Sequence, residues 1–308
     1  MNGPQLVDFS TKKQPRKFYG ISPEKWNLAK KLSMKEYEKG AEAFAQLEIA
    51  DSLEAMEEIL QRSREFIQIF FRTVDPCTHI RKLSSFWKMP HGIKLLNMWF
   101  EWIVDGSKDG DLTKSIEDHM DAVMRMVENY LSLKKGESWI KKLAEVGSDS
   151  RLRFGNSLLL EIFLIRELAK FWGNKGEKLI FVDGQDDLKN MSTQPFVHAV
   201  KISQTGEGDF EDSFVFSVRI GSSLVFEGVS LTQGLAAIVQ LSFVFNLLYP
   251  VPADDIFNFT QRVLACFGPV DGARNAKNQV KKNFVDFQCY MGNFMLQEKK
   301  AKLQKMFI

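Results

Sequence analysis

Between Glu227 and Asp254 the chain carries no charged residue, the longest such run in the sequence. A run of this kind must either cross a membrane or lie inside a folded core. Gln233, Gln240 and Asn246 interrupt it, and its continuous apolar part is shorter than the roughly 18–20 residues a span requires. A core helix is therefore expected. Ser230 supplies an N-cap for a helix starting at Leu231, and Tyr249-Pro250 supplies its stop. Just before it, Phe214, Phe216, Val218 and Ile220 alternate with Val215, Ser217 and Arg219, the period of a strand with one core face. Gly221-Ser222 then turns the chain into Leu224-Val225-Phe226, so a hairpin precedes the helix. Past the proline, Ile256, Phe257, Phe259, Val263, Leu264 and Phe267 form a helical apolar face, with Asp254 or Asp255 near its start and Gly268 at its end.

The N-terminal half reads differently. Ser22-Pro23-Glu24 starts a first helix. Asp51-Ser-Leu-Glu54 opens, in capping-box form, a long amphipathic helix that Pro76 ends. Helices follow over Ile93–Val104, Leu112–Leu133 (stopped near Gly136), Trp139–Val146 and Asn156–Trp172 (closed by Gly173). Lys178–Val182 and Phe196–Ile202 then read as strands. The expected fold is mainly α with a small antiparallel β-sheet in the second half. Its organisation is a basic arm over residues 1–20, a helical part over 21–173, an α+β part over 174–269 and a basic helical tail over 270–308.

With 308 residues the chain can bury a sizeable core. Its net charge of +2 selects no particular partner. Cys77, Cys266 and Cys289 are odd in number and widely spaced, which is neither a disulfide framework nor a metal cluster and suits a reducing compartment. The opening MNGPQLVDFSTKKQPRKFY lacks the apolar segment of a secretory signal, so an intracellular protein, cytoplasmic or nuclear, is expected.

Few residues suggest chemistry. Asp183, Asp186 and Asp187 follow a strand, where α/β enzymes place Mg²⁺-binding carboxylates, but the same pattern is ordinary turn chemistry. There is no P-loop, GxGxxG, nucleophile elbow or HExxH to accompany them. The acidic loop Asp105–Asp111 does not follow the EF-hand spacing. His79, His91, His119 and His198 are scattered, with no ligand-spaced neighbours. Glu161 stands alone on an apolar helix face, where a satisfied or edge-exposed carboxylate is the simpler expectation than a catalytic acid. No cofactor, metal or catalytic residue is expected.

The pieces FVDGQDDLKNMSTQPF and YPVPADDIFNFTQR, in that order between Leu179 and Gly268, are similar to segments of uncharacterised, multi-copy proteins of animal genomes, some of them associated with transposable elements. The zinc-finger segments that some of those proteins carry are absent here, and the resemblance implies no activity.

Two functional expectations remain. The first is a non-catalytic binding or self-assembly protein, a homo-oligomer whose arm and tail reach neighbouring subunits. The second is RNA or DNA binding, as a nucleoprotein that packages nucleic acid or as a transposon-derived factor. Lys12, Lys13, Arg16 and Lys17 in the arm would supply cationic contacts, joined by Lys277, Lys281, Lys282, Lys299 and Lys300 in the tail, where Phe and Tyr290 lie between the lysines. The 26 phenylalanines fit a well-filled core better than an exposed sticky surface.

Overall fold

A computed structural model of the chain describes residues 54–63, 92–104, 112–154, 158–187, 191–203, 212–245, 249–267 and 282–306, with a few isolated positions besides. For residues 102–104, 147–154, 203, 212–213, 282–283 and 297–306 it describes the backbone alone. In chain order these form α1 (residues 54–63), α2 (Gly92–Val104), α3 (Leu112–Lys135), α4 (Glu137–Phe154) and α5 (Leu158–Phe171). The strands β1 (Ile180–Val182), β2 (Pro195–Ser203), β3 (Asp212–Ile220) and β4 (Ser223–Val229) follow. Then come α6 (Leu231–Val244), α7 (Asp254–Phe259) with a π-helical continuation over Thr260–Leu264, and α8 (Lys282–Met306). The architecture is mainly helical, with a four-stranded sheet in the second half.

The uncharged run becomes α6, and it is the centre of the molecule. Ser230 caps it in a capping box: the Ser230 hydroxyl accepts from the Gln233 amide at 3.1 Å, and Gln233 Oε1 accepts from the Ser230 amide at 2.9 Å. From Gly234 to Val244 every residue is buried. One side of the helix packs on β2 and β3 and the other on α2 and α3. Gln240, a polar group in this setting, donates to Asn97 Oδ1 on α2 at 2.8 Å, so its burial is compensated. The helix ends sooner than Tyr249-Pro250 would require. Beyond Val244 the side chains of Phe245, Leu247 and Tyr249 are buried, and the Leu247 amide donates to the Ser242 carbonyl at 2.8 Å, five residues back, instead of continuing the four-residue helical pattern.

At Gly234 the helix comes close to the sheet. A Cβ there would lie 3.0 Å from Val197 Cγ2 and 3.6 Å from Val229 Cγ2. Gly234→Leu should therefore lower stability by about 3 kcal/mol through overpacking, read from urea unfolding. Val197→Ala in the same chain should return part of that loss.

The sheet order is β1-β2-β3-β4. β2 and β3 pair antiparallel, as do β3 and β4 across the Gly221 turn, where Gly221 takes φ 57. To the expected antiparallel sheet β1 adds a strand that pairs parallel to β2, with Ile180 opposite Val197 and Val182 opposite Ala199. The sheet is mixed. Residues 183–194 provide the crossover, about the dozen residues a parallel pairing needs. All three β1 residues are buried, as befits a parallel strand covered on both faces.

The buried core runs without a break from α1 to α8 and across the change of texture at Gly173. Ser115 on α3 donates to the Ala265 carbonyl at 3.0 Å, a further tie between the halves. The amphipathic segment after Pro250 is not one regular helix. It passes at Thr260 into π geometry, with the Ala265 amide donating to the Thr260 carbonyl at 2.9 Å. Near the N-terminal side, Ser52 caps α1: its hydroxyl accepts from the Ala55 amide at 3.2 Å; Asp51 lies outside the described residues.

Candidate functional site

The residues singled out from sequence are only partly visible. Lys12, Lys13, Arg16, Lys17, Lys277 and Lys281 lie outside the described residues, as do Cys77, His79, His91 and the Asp105–Asp111 loop. Lys282, Lys299 and Lys300 belong to α8, but their side chains are not described.

The Asp183 loop is built for structure. Asp186 Oδ1 accepts from the Arg166 guanidinium on α5 at 2.5 Å, and its Oδ2 accepts from the Val182 amide at 2.7 Å. Both oxygens are thus engaged in latching the end of β1 to α5. Asp183 and Asp187 are exposed. Among the described residues no three His, Cys, Asp or Glu side chains gather as a metal would need.

His198 lies on β2 with its ring 5.7 Å from that of Phe181, opposite Ser217 on β3. It is buried, and its Nδ1 has no hydrogen-bond partner among the described residues. Burial lowers its pKa, the Arg219 charge lowers it further, and Asp183 only partly opposes them. The folded state therefore holds a neutral imidazole where the unfolded chain titrates near pH 6.5. Because the unfolded state binds the proton first, stability is intact above that value and falls as the pH drops below it. Urea midpoints measured from pH 8 to 5 should decline more steeply for the wild type than for His198→Gln. Parallel curves would assign the decline to other groups.

A second buried polar group joins the two halves. Asn174, just past α5, accepts through Oδ1 from the Asp255 amide at 3.0 Å and the Ile256 amide at 3.2 Å. Its Nδ2 donates to Asp255 Oδ2 at 3.1 Å. Asp254 and Asp255 were read as first-turn residues of a helix, and so they are, but both are buried, together with Asn258, Thr260 and Gln261. Tyr249 donates to Gln261 Oε1 at 2.7 Å and Thr260 to the Ile256 carbonyl at 3.0 Å. These bonds fix α7 and its π turn in place.

The arrangement with most surface chemistry lies where α3, α4 and α5 meet. Gly136, at φ 74, reverses the chain between α3 and α4. This brings Lys134-Lys135 and Lys141-Lys142 to the same end of the body. Glu167 on α5 accepts from Lys135 at 2.9 Å and from Lys142 at 3.1 Å. Burial alone would raise the Glu167 pKa, but hydrogen bonds from the two ammonium groups, reinforced by their charge, bring it below the ordinary carboxylate range. Lys134 and Lys141 adjoin the paired lysines in sequence, Lys170 follows Glu167 by about one turn of α5, and all three are exposed.

Aromatic rings alternate with the lysines. Lys134 stands 5.6 Å from the centre of the Tyr130 ring, Lys135 4.5 Å from Trp139, and Lys142 5.2 Å from Phe163. Tyr130 in turn touches Phe171 and Tyr290, both half-buried. Leu133 and Ile140 are exposed on either side of Gly136. The paired lysines are visible in sequence; their convergence with α5 is not, because a contact between helices sets it.

No family model, curated protein or solved structure matches this chain. Among the described residues no helix is long and apolar enough to cross a membrane.

Proposed function

We propose that this chain is a non-catalytic self-assembly protein whose C-terminal helix joins it to a neighbouring copy. The observation that carries this reading is that α8 is anchored at its start and exposes apolar side chains at Met295 and Leu296. Phe284 and Phe287 are fully buried against Trp172 and Phe259, with Tyr130 also against Phe287, so the start of the helix is fixed to its own body. Farther along, Met295 and Leu296 are 60% and 58% exposed. The sequence then places Leu303, Met306, Phe307 and Ile308 among lysines. An anchored helix that carries apolar side chains away from its body suits contact with a second body. The basic arm over residues 1–20 would make the corresponding reach from the other end.

Light scattering coupled to size exclusion tests this. The full chain should run as an oligomer, and removal of residues 295–308 should reduce its mass toward that of one chain. Removing residues 1–20 alone separates the contribution of the arm. A full chain and both truncations of identical single-chain mass would refute the proposal.

The second reading, binding of RNA or DNA, is favoured by the lysines and rings at the α3–α4–α5 junction in addition to the arm and tail lysines. Such binding should weaken steeply with salt.

A further inference from the structure

On the nucleic-acid reading, the arm and tail are the obvious cationic segments. The folded body offers a better-defined surface. We propose that a single-stranded nucleic acid lies across the junction of α3, α4 and α5, with its phosphates on Lys134, Lys141 and Lys170 and bases against the bordering rings. The proposal rests on the nucleic-acid reading and names the place of contact.

Three observations lead to it. First, Glu167 engages Lys135 and Lys142 but not the other three lysines, which are exposed. The glutamate thus holds α3, α4 and α5 together while the outer lysines face solvent. Against these five lysines stand Glu167, the exposed Glu137 and Glu145 of α4, and the exposed Asp286, whose charge reaches Tyr130, so the balance is five positive charges to four negative ones, with only Lys135 and Lys142 drawn into ion pairs with Glu167. Second, although Tyr130 and Trp139, the rings beside Lys134 and Lys135, are buried, Phe163 beside Lys142 is half-buried, as are Phe171 and Tyr290, which flank Tyr130. Alternating cations and rings match alternating phosphates and unpaired bases, whereas paired bases have no free face to stack. Third, the lysines come from three elements held by packing, so their spacing does not have to be ordered on binding.

An anionic membrane is the main competitor, because Leu133 and Ile140 protrude beside the lysines, at 71% and 51% exposure. The rings favour nucleic acid, since aliphatic tips alone would serve a lipid surface as well.

The test uses the full chain and fluorescence anisotropy with end-labelled dT20 and rU20 at a series of KCl concentrations. The body variant is Lys134→Gln, Lys141→Gln and Lys170→Gln combined. The tail variant is Lys299→Gln and Lys300→Gln. For the body variant, the slope of log K against log salt should become shallower by about 2, from about 0.7 for each lost single-strand phosphate contact. Its affinity at 100 mM salt should fall on the order of tenfold. The tail variant should keep most of the wild-type slope. If the triple variant does not fold, each single substitution should still remove about a third of the slope change.

A body variant with wild-type slope, alongside a tail variant that has lost binding, would overturn this surface while leaving the nucleic-acid reading intact. No binding of either oligonucleotide by the wild type would overturn both. Binding to phosphatidylserine vesicles without oligonucleotide binding would replace the surface's partner with a membrane and equally overturn the proposal.

Discussion

Phe287→Ala is expected to lower the unfolding free energy by about 3–5 kcal/mol and to free the start of α8 from the body. The ring is fully buried, with Tyr130 at 5.0 Å, Trp172 at 5.7 Å and Phe259 at 5.7 Å between centroids, all near edge-to-face. Truncation leaves a void among three rings from different elements, which cannot close without moving helices that are themselves packed. Each lost aromatic pair adds about 0.5–1.5 kcal/mol to the loss of burial. Phe287→Leu should recover a large part, since it refills most of the volume. Urea unfolding followed by tryptophan fluorescence reads the change directly, because Trp172 lines the same nest. A loss below about 1 kcal/mol would show that the site collapses freely and that α8 is not anchored there. Light scattering on the same variant links this to assembly: with the anchor gone, the oligomer should weaken as well.

Asn174→Ala should cost about 3 kcal/mol or more, although it removes only a small side chain. Ala253, at the N-cap position of α7, offers no side-chain cap, so Asn174 performs that task from another part of the chain. Its loss leaves the buried Ile256 amide without its side-chain acceptor, at about 1–3 kcal/mol for an unsatisfied group, and leaves the Asp255 amide only Asp254 Oδ1, at 3.1 Å. It also takes a donor from the Asp255 carboxylate, which is 1% exposed. A buried carboxyl oxygen that loses its donor adds a further cost of the same kind. A double-mutant cycle separates the two effects: in an Asp255→Ala background, Asn174→Ala should cost clearly less than alone. Equal costs in both backgrounds would mean that the Asn174–Asp255 bond contributes nothing of its own.

Much of the fold was legible because its signals are local. Ser230 caps α6, Gly136 and Gly173 stop helices with positive φ, and Gly221 turns the hairpin; each acts through its own backbone and its nearest neighbours. What escaped was set by distant partners. The parallel pairing of β1 depends on where β2 lies, and a three-residue apolar strand carries no sign of direction. The π turn at Thr260 sits in a stretch whose apolar spacing reads as ordinary helix. Asp254 and Asp255 look like surface residues of a first turn, yet Asn174, far away in sequence, makes the burial of Asp255 tolerable. The same holds for the candidate surface. Lysines in the arm and tail stand out in a linear reading, whereas Lys134, Lys141 and Lys170 become a group only when Gly136 and Glu167 fold three helices together. Asp186 is the converse case: its place after a strand suggested metal chemistry, and Arg166 with the Val182 amide takes up both its oxygens.

The nest that receives Phe287 has a consequence for synthesis. Its walls, Tyr130, Trp172 and Phe259, leave the ribosome well before the residue that closes it. At roughly 5–20 residues per second, the last wall, Phe259, precedes Phe287 by a few seconds, during which an apolar hollow stays open on the nascent body. That interval is a natural moment for a chaperone to hold the chain, and for the α8 of a finished neighbour to enter in place of its own.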